Sequence, residues 1–204
     1  FNGFNLSVPG RNPGTLAQQL NGGGSPEFAG TGARMVSKNN WIVTCLANAQ
    51  SGGEGFIATA PNGDQYTFGF RQTYYEREFK ATAQTDYTVS EEVLYVTEIK
   101  DVHNNWVRYE YAGGRPSRIH SSDGREITFG YSGSKISSVT ANGRTWSYQY
   151  DSSGYLNRVT LPDNRFWTMT GHTFALDPWV TDICAFHNST SITPYTVKHP
   201  SGTT

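Results

Sequence analysis

An all-β fold built from antiparallel hairpin repeats of about 20 residues, forming a curved, shell-like or spiral sheet, is predicted by three features of this sequence. The first is a register that recurs four times: a turn residue, then apolar or aromatic side chains three, five and seven positions later. It runs Gly63 with Tyr66, Phe68 and Phe70; Asn104 with Val107, Tyr109 and Tyr111; Gly124 with Ile127, Phe129 and Tyr131; and Gly143 with Trp146, Tyr148 and Tyr150. A spacing of two places the three side chains on one face of an extended strand. The Asn-Gly, Asp-Gly and Asn-Asn dipeptides before them tolerate the positive φ of a tight turn. The second feature is the period, since the markers at 104, 124, 143 and 164 lie 20, 19 and 21 residues apart. The third is composition: 14% aromatic residues, 16% charged residues and 22 glycines favour strands and turns over long solvated helices.

Taken in order, residues 1–52 are rich in Gly, Asn and Ser and read as an irregular lead-in. A short helical turn is expected over Leu16 to Leu20, then the Gly22-Gly23-Gly24 run, then one strand from Trp41 to Leu46. Residues 53–170 form the repeat sheet, with a polar insertion near 71–88 that contains Tyr74-Tyr75-Glu76-Arg77-Glu78-Phe79-Lys80. Each unit there carries a second strand after its glycine segment, marked by Pro116 and Ile119, Ile136 and Val139, or Leu156 and Val159. A lone hairpin cannot bury its apolar face, so stability must come from pairing one unit with the next. Residues 171–204 lose the register: Asn164 is followed by Trp167 and Met169 in phase, but Gly171 takes the third place. The segment is irregular and enters a further repeat at Val197-Lys198-His199-Pro200. Phe1-Asn2-Gly3-Phe4 has neither an initiator methionine nor a signal pattern, so the chain is expected to begin, and likewise to end, within a longer protein.

The formal net charge of −1 gives no general attraction to nucleic acid or an anionic membrane. No apolar run reaches the roughly 18 residues of a membrane-spanning helix. The five histidines show no His-x-His or His-x-x-x-His spacing, and neither a metal nor a cofactor is expected. Cys45 and Cys184, 139 residues apart, are open to two readings: one disulfide in an oxidising compartment, or two separate thiols. Asp101, His103 and a serine lack the Gly-x-Ser-x-Gly elbow, and the glycine run lacks the Lys and Ser/Thr of a phosphate loop. No catalytic residue is assigned. The in-phase aromatics read either as the buried face of the sheet or as a platform for stacking sugars. The opposite face carries Arg108, Glu110, Glu126, Thr128, Thr145, Ser147 and Gln149. Trp106 stands out of phase among these polar residues and, with Arg108, is the candidate contact for a ligand.

The segments Trp106-Val107-Arg108-Tyr109-Glu110-Tyr111, Ser121-Ser122-Asp123-Gly124-Arg125-Glu126-Ile127 and Tyr148-Gln149-Tyr150-Asp151-Ser152-Ser153-Gly154-Tyr155-Leu156-Asn157-Arg158-Val159 closely resemble the YD-repeat, or RHS-repeat, family. The resemblance spans roughly residues 53–170 and includes the stretch from Gly53 to Gly63. Only Tyr150-Asp151 spells the literal pair; its counterparts are Tyr111-Ala112 and Tyr131-Ser132. The resemblance implies a structural role. In that family the repeats wind into hollow shells that enclose a C-terminal toxic polypeptide in exported bacterial proteins, or support adhesion in teneurins. It further implies a non-enzymatic segment, secreted or at the cell surface. Its partners would be the remainder of a longer repeat polypeptide and the enclosed cargo. A carbohydrate-binding or adhesive module is the alternative.

Overall fold

The computed structural model describes residues 4–18, 33–47, 49–50, 52–78, 87–171 and 196–201, and every regular element in it is a β-strand. The chain forms two compact units, Phe1–Glu126 and Ile127–Thr204. The first holds β1 (Phe4–Asn5), β2 (Thr15–Gln18), β3 (Ala33–Ser37), β4 (Ile42–Leu46), β5 (Gly55–Thr59), β6 (Gln65–Glu78), β7 (Tyr87–Lys100), β8 (Trp106–Ala112) and β9 (Arg115–Ser121). The second holds β10 (Glu126–Ser132, whose first residue closes the first unit), β11 (Lys135–Ala141), β12 (Arg144–Tyr150), β13 (Leu156–Thr160), β14 (Phe166–Thr170) and β15 (Thr196–Lys198). Within each unit every strand pairs antiparallel with its neighbours in the chain. The expected all-β hairpin architecture is thus the one observed.

Two expectations are corrected. Residues 1–52, expected to be irregular with one strand, carry four among the described residues, β1 to β4, because their ladders place Met35 and Val43 in the core. Thr15–Gln18 is a strand rather than the start of a helical turn, because Leu16 lies opposite both Phe4 and Ser37 and its backbone joins two ladders at once. Residues 19 and 20 lie outside the described ones.

Among the described residues a single five-residue turn is used six times. It starts at Ser37, Ala60, Asp101, Ser121, Asp151 and Leu161; in each, the first N–H donates to the fifth carbonyl and the fourth N–H to the first carbonyl. The fourth residue has positive φ throughout: Asn40 (60°), Gly63 (89°), Asn104 (65°), Gly124 (84°), Gly154 (85°) and Asn164 (66°). This is a type I turn followed by a left-handed residue, a conformation that only glycine and, less readily, asparagine adopt cheaply. Asn142 (φ 49°) and Gly143 (φ 77°) instead form a two-residue turn closed by Ala141 and Arg144.

The same comparison explains the single Tyr-Asp pair. After Tyr111 the chain reverses in two residues, Gly113-Gly114, between the paired Ala112 and Arg115. After Tyr150 it takes the longer loop Asp151–Tyr155, and the Asp151 carboxylate accepts the Tyr155 N–H at 2.9 Å. The aspartate belongs to the longer loop, and the shorter turn has no place for it.

The repeat is visible in the ladder irregularities. Thr97, Ser117, Ser137 and Asn157 each stand without an opposite residue, at intervals of 20. A bulge of this kind increases twist and breaks the ladder locally. Beyond it, consecutive hairpins part: the β7–β8 ladder stops at Glu98 opposite Arg108, and the β11–β12 ladder at Ser138 opposite Ser147. A tyrosine hydroxyl takes over there. Tyr111 donates to the Val96 carbonyl at 2.7 Å, and Tyr150 to the Ile136 carbonyl at 2.8 Å.

The buried core lies in the first unit. An apolar row crosses six strands as directly opposed residues: Met35, Val43, Ala58, Tyr66, Ile99 and Val107. Its first four members are buried, joined by Val8, Trp41 and Ala60, and the Trp41 and Tyr66 rings lie 5.5 Å apart. Leu6, Leu16, Phe56 and Phe68 pack around them. The lead-in is tied down by the Arg11–Asp64 ion pair at 2.7 Å and by Asn39 donating to the Asn12 carbonyl. Arg71–Glu78 pairs with Tyr87–Leu94, so the described part of the stretch 71–88 extends one long β6–β7 hairpin.

Candidate functional site

Three surfaces concern function; the first occurs in each unit, and the second and third each lie within one unit. The first is the in-phase aromatic face. Tyr66 is buried; Phe68, Phe70, Tyr109 and Tyr111 in the first unit and Ile127, Phe129, Tyr131, Trp146, Tyr148 and Tyr150 in the second are half-buried. Phe70 and Tyr111 stack with centroids 4.3 Å apart and planes within 3°, and Tyr95 leans on both. The Tyr74 and Tyr95 hydroxyls are 2.7 Å apart. Burial pushes the Tyr111 phenol up to about 12 and raises Tyr109 as well, while the hydrogen bond to Tyr74 raises Tyr95. These rings hold one another and the backbone, which leaves little free π-surface in the first unit.

The second surface surrounds Trp106 on the polar side of β7–β9. The Arg108 guanidinium sits 4.1 Å above the Trp106 ring centre, and His120 meets its edge at 5.2 Å and 79°. Arg108 also binds Glu98 at 2.7 Å, His120 approaches Glu110 at 3.1 Å, and Arg118 joins Glu110 to Glu126. Cross-strand register makes this ladder: Glu98 faces Arg108, Arg108 faces His120, and Glu110 faces Arg118. Trp106 and Arg108 are therefore together, as candidate ligand contacts require, but they are turned on each other. Sequence reasoning missed His120, and only the β8–β9 register brings it to the indole.

The third surface is a cleft of about 290 Å³ in the second unit, lined by Arg144, Trp146, Leu161, Pro162, Asp163 and Arg165. Arg144 and Trp146 share the aromatic face of β12, two residues apart, and the guanidinium lies 5.6 Å from the ring centre. The other wall is the Leu161–Arg165 turn. There Arg165 donates through Nε to Asp163 at 2.7 Å, and this bond holds the Asp163 carboxyl below the usual carboxylate range. Among the described residues the Arg144 guanidinium has no carboxylate or hydrogen-bond partner. Of the cleft's residues only Trp146 was singled out from the sequence. A signal for the rest was present in Leu161-Pro162-Asp163-Asn164, whose left-handed Asn164 folds the chain back beside Trp146.

The remaining candidates have plain structural roles. Asp101 accepts the N–H groups of His103 and Asn105 at 2.8 and 2.9 Å, and its bond to the Asn105 amide keeps its carboxyl below the usual range; it is a turn cap. Asp123 is likewise held down by Arg125 within its own turn. Cys45 is exposed on β4, while Cys184 lies outside the described residues, as do His172 and His187. Among the described residues no cluster of His, Cys, Asp or Glu is suited to a metal ion, and no helix is long and apolar enough to cross a membrane.

Left-handed turns at a common position, unopposed residues every 20 positions and tyrosines fastening one hairpin to the last define a β-hairpin repeat protein. Residues 136–165, which run from the second strand of one hairpin through the next and into the following turn, match the family model described as RHS Repeat. Over those residues the chain carries an RHS/YD-type repeat. No match was found among curated proteins.

Proposed function

We propose that this chain is a structural segment of an RHS/YD-repeat shell of an exported bacterial protein. In this reading it is secreted or at the cell surface, encloses or presents a toxin or other cargo, and is not itself catalytic. The observation that supports it best is the tyrosine fastening: Tyr111 and Tyr150 each tie a hairpin to the strand before it through a backbone carbonyl. Stability that passes from neighbour to neighbour sets no upper limit on the number of hairpins. Such a sheet can be lengthened to enclose a volume without a solid core. The carboxylates with the clearest shifts, Asp101, Asp123 and Asp163, are all spent on capping turns. The proposed division has residues 1–52 as lead-in, 53–170 as the repeat sheet and 171–204 as entry to a further unit. Its partners are the rest of a longer repeat polypeptide and the cargo.

The test is the intact mass of the natural gene product, followed by limited proteolysis. A long product with many more repeats and a C-terminal region that resists protease until the protein is denatured is the expected result. A mature natural protein that begins at Phe1 and ends at Thr204 would overturn the shell reading and favour a free-standing adhesive or carbohydrate-binding module.

A further inference from the structure

We propose that the cleft between β12 and the Leu161–Arg165 turn binds one carboxylate-bearing pyranose, a hexuronic acid residue of an acidic glycan. This inference is separate from the shell reading, and neither depends on the other.

Three properties of the cleft lead to that ligand. Its volume of about 290 Å³ lies at the lower end of small-molecule clefts, room for one ring rather than an extended chain. Its lining combines the half-buried Trp146 ring with Leu161 and Pro162, an apolar surface on which the C–H face of a sugar ring can rest. Its charge is unbalanced in one place: Arg165 is neutralised by Asp163 at 2.7 Å, whereas the exposed Arg144 guanidinium beside Trp146 has no acid among the described residues. A planar guanidinium offers a carboxylate two parallel hydrogen bonds. A neutral sugar would cover the indole and leave Arg144 unused; a bare carboxylate would use Arg144 and leave the indole and Pro162 wet. A uronic acid does both.

The contrast with Trp106 sharpens the point. There the arginine lies 4.1 Å from the ring centre and is committed to Glu98, so indole and cation already satisfy each other. At Trp146 the separation is 5.6 Å and, among the described residues, the cation has no second tie. The opposite wall is preformed. Asn164 donates to the Leu161 carbonyl at 3.0 Å, and the Asp163 carboxylate accepts both the Arg165 N–H at 3.1 Å and its Nε–H. Little ordering is left to be done on binding.

The test uses the 204-residue chain and ¹H–¹⁵N spectra of its tryptophan indoles, with Trp146 assigned through Trp146→Phe. Methyl glucuronoside should shift the Trp146 resonance saturably in the millimolar range and leave Trp106 unmoved. Methyl glucoside should bind at least ten-fold more weakly. Arg144→Gln should reduce the acid to the level of the neutral sugar, and Arg144→Lys, which keeps the charge but not the paired donors, should fall between. An unchanged remainder of the spectrum establishes that each variant is folded. The proposal is overturned if Trp146 does not respond, if both sugars bind equally, or if Arg144→Gln leaves the acid's affinity intact. It is also overturned if acetyl-aspartate N-methylamide binds as tightly as the uronoside, which would make the cleft a site for acidic peptide. Any of these results leaves the shell reading standing.

Discussion

The Tyr150 hydroxyl donates to the Ile136 carbonyl at 2.8 Å, bridging β12 to β11 beyond the last rung of their ladder at Ser138 and Ser147. Phenylalanine would pack in the same place but could not fill that carbonyl, so the hydroxyl explains why tyrosine stands at 111 and 150. Tyr150→Phe should destabilise the second unit by about 1 kcal/mol, the net value of one such bond, and by up to about 3 kcal/mol if the carbonyl is left dry. Tyr148→Phe is the control: among the described residues its hydroxyl has no hydrogen bond, and the change should stay within about 0.5 kcal/mol. Urea midpoints of the two variants, compared at equal slope, decide the matter. Equal losses would refute the fastening role.

Alkaline pH should loosen the first unit. A phenol whose folded pKa is raised above its unfolded value is held neutral by the fold; its contribution is complete below the unfolded value near 10 and lost as pH climbs past it. Tyr111 is pushed up to about 12, and Tyr109 and Tyr95 are raised in the same sense. Stability should therefore be level up to about pH 9 and fall between about pH 10 and 12. Denaturation midpoints measured across that window test this, and Tyr111→Phe should flatten the fall.

Asp151→Ala should cost about 1 kcal/mol, because it removes the carboxylate that accepts the Tyr155 N–H, and Asp151→Asn should keep most of the stability. The companion change Ser132→Asp should do nothing, since Ser132 pairs with Lys135 across a two-residue turn that lacks the fifth-residue N–H which Asp151 caps in the longer loop. Thermal unfolding of the three variants provides the comparison. A gain from Ser132→Asp would mean that the aspartate acts in some way other than by loop length.

Gly124→Ala isolates backbone strain. The residue sits at φ 84° with nothing within 4 Å of a would-be Cβ, so the cost comes from conformation alone and should be about 1–2 kcal/mol. Asn104→Gly, at φ 65° in the equivalent position of the Asp101 turn, should be close to neutral. Chemical denaturation measures both, and a neutral Gly124→Ala would show that the turn relaxes.

The sequence by itself determined the kind of fold. Alternation at 66, 68 and 70, or at 146, 148 and 150, is a property of single strands, and the glycines and asparagines that must turn with positive φ announce themselves locally. The period and the resemblance to the repeat family followed from the same local signals. Position across strands was not legible, because a register shift of one residue changes every neighbour without changing the sequence of any strand. For that reason Trp106, read as an open contact, proved to lie under Arg108 and against His120. Arg144, read as nothing, proved to stand beside Trp146 in a cleft with no acid among the described residues. The role of Tyr111 and Tyr150 was hidden for the same reason: a hydroxyl's partner is a carbonyl on another strand, and only the ladder's end at Glu98 and Ser138 leaves that carbonyl to be filled.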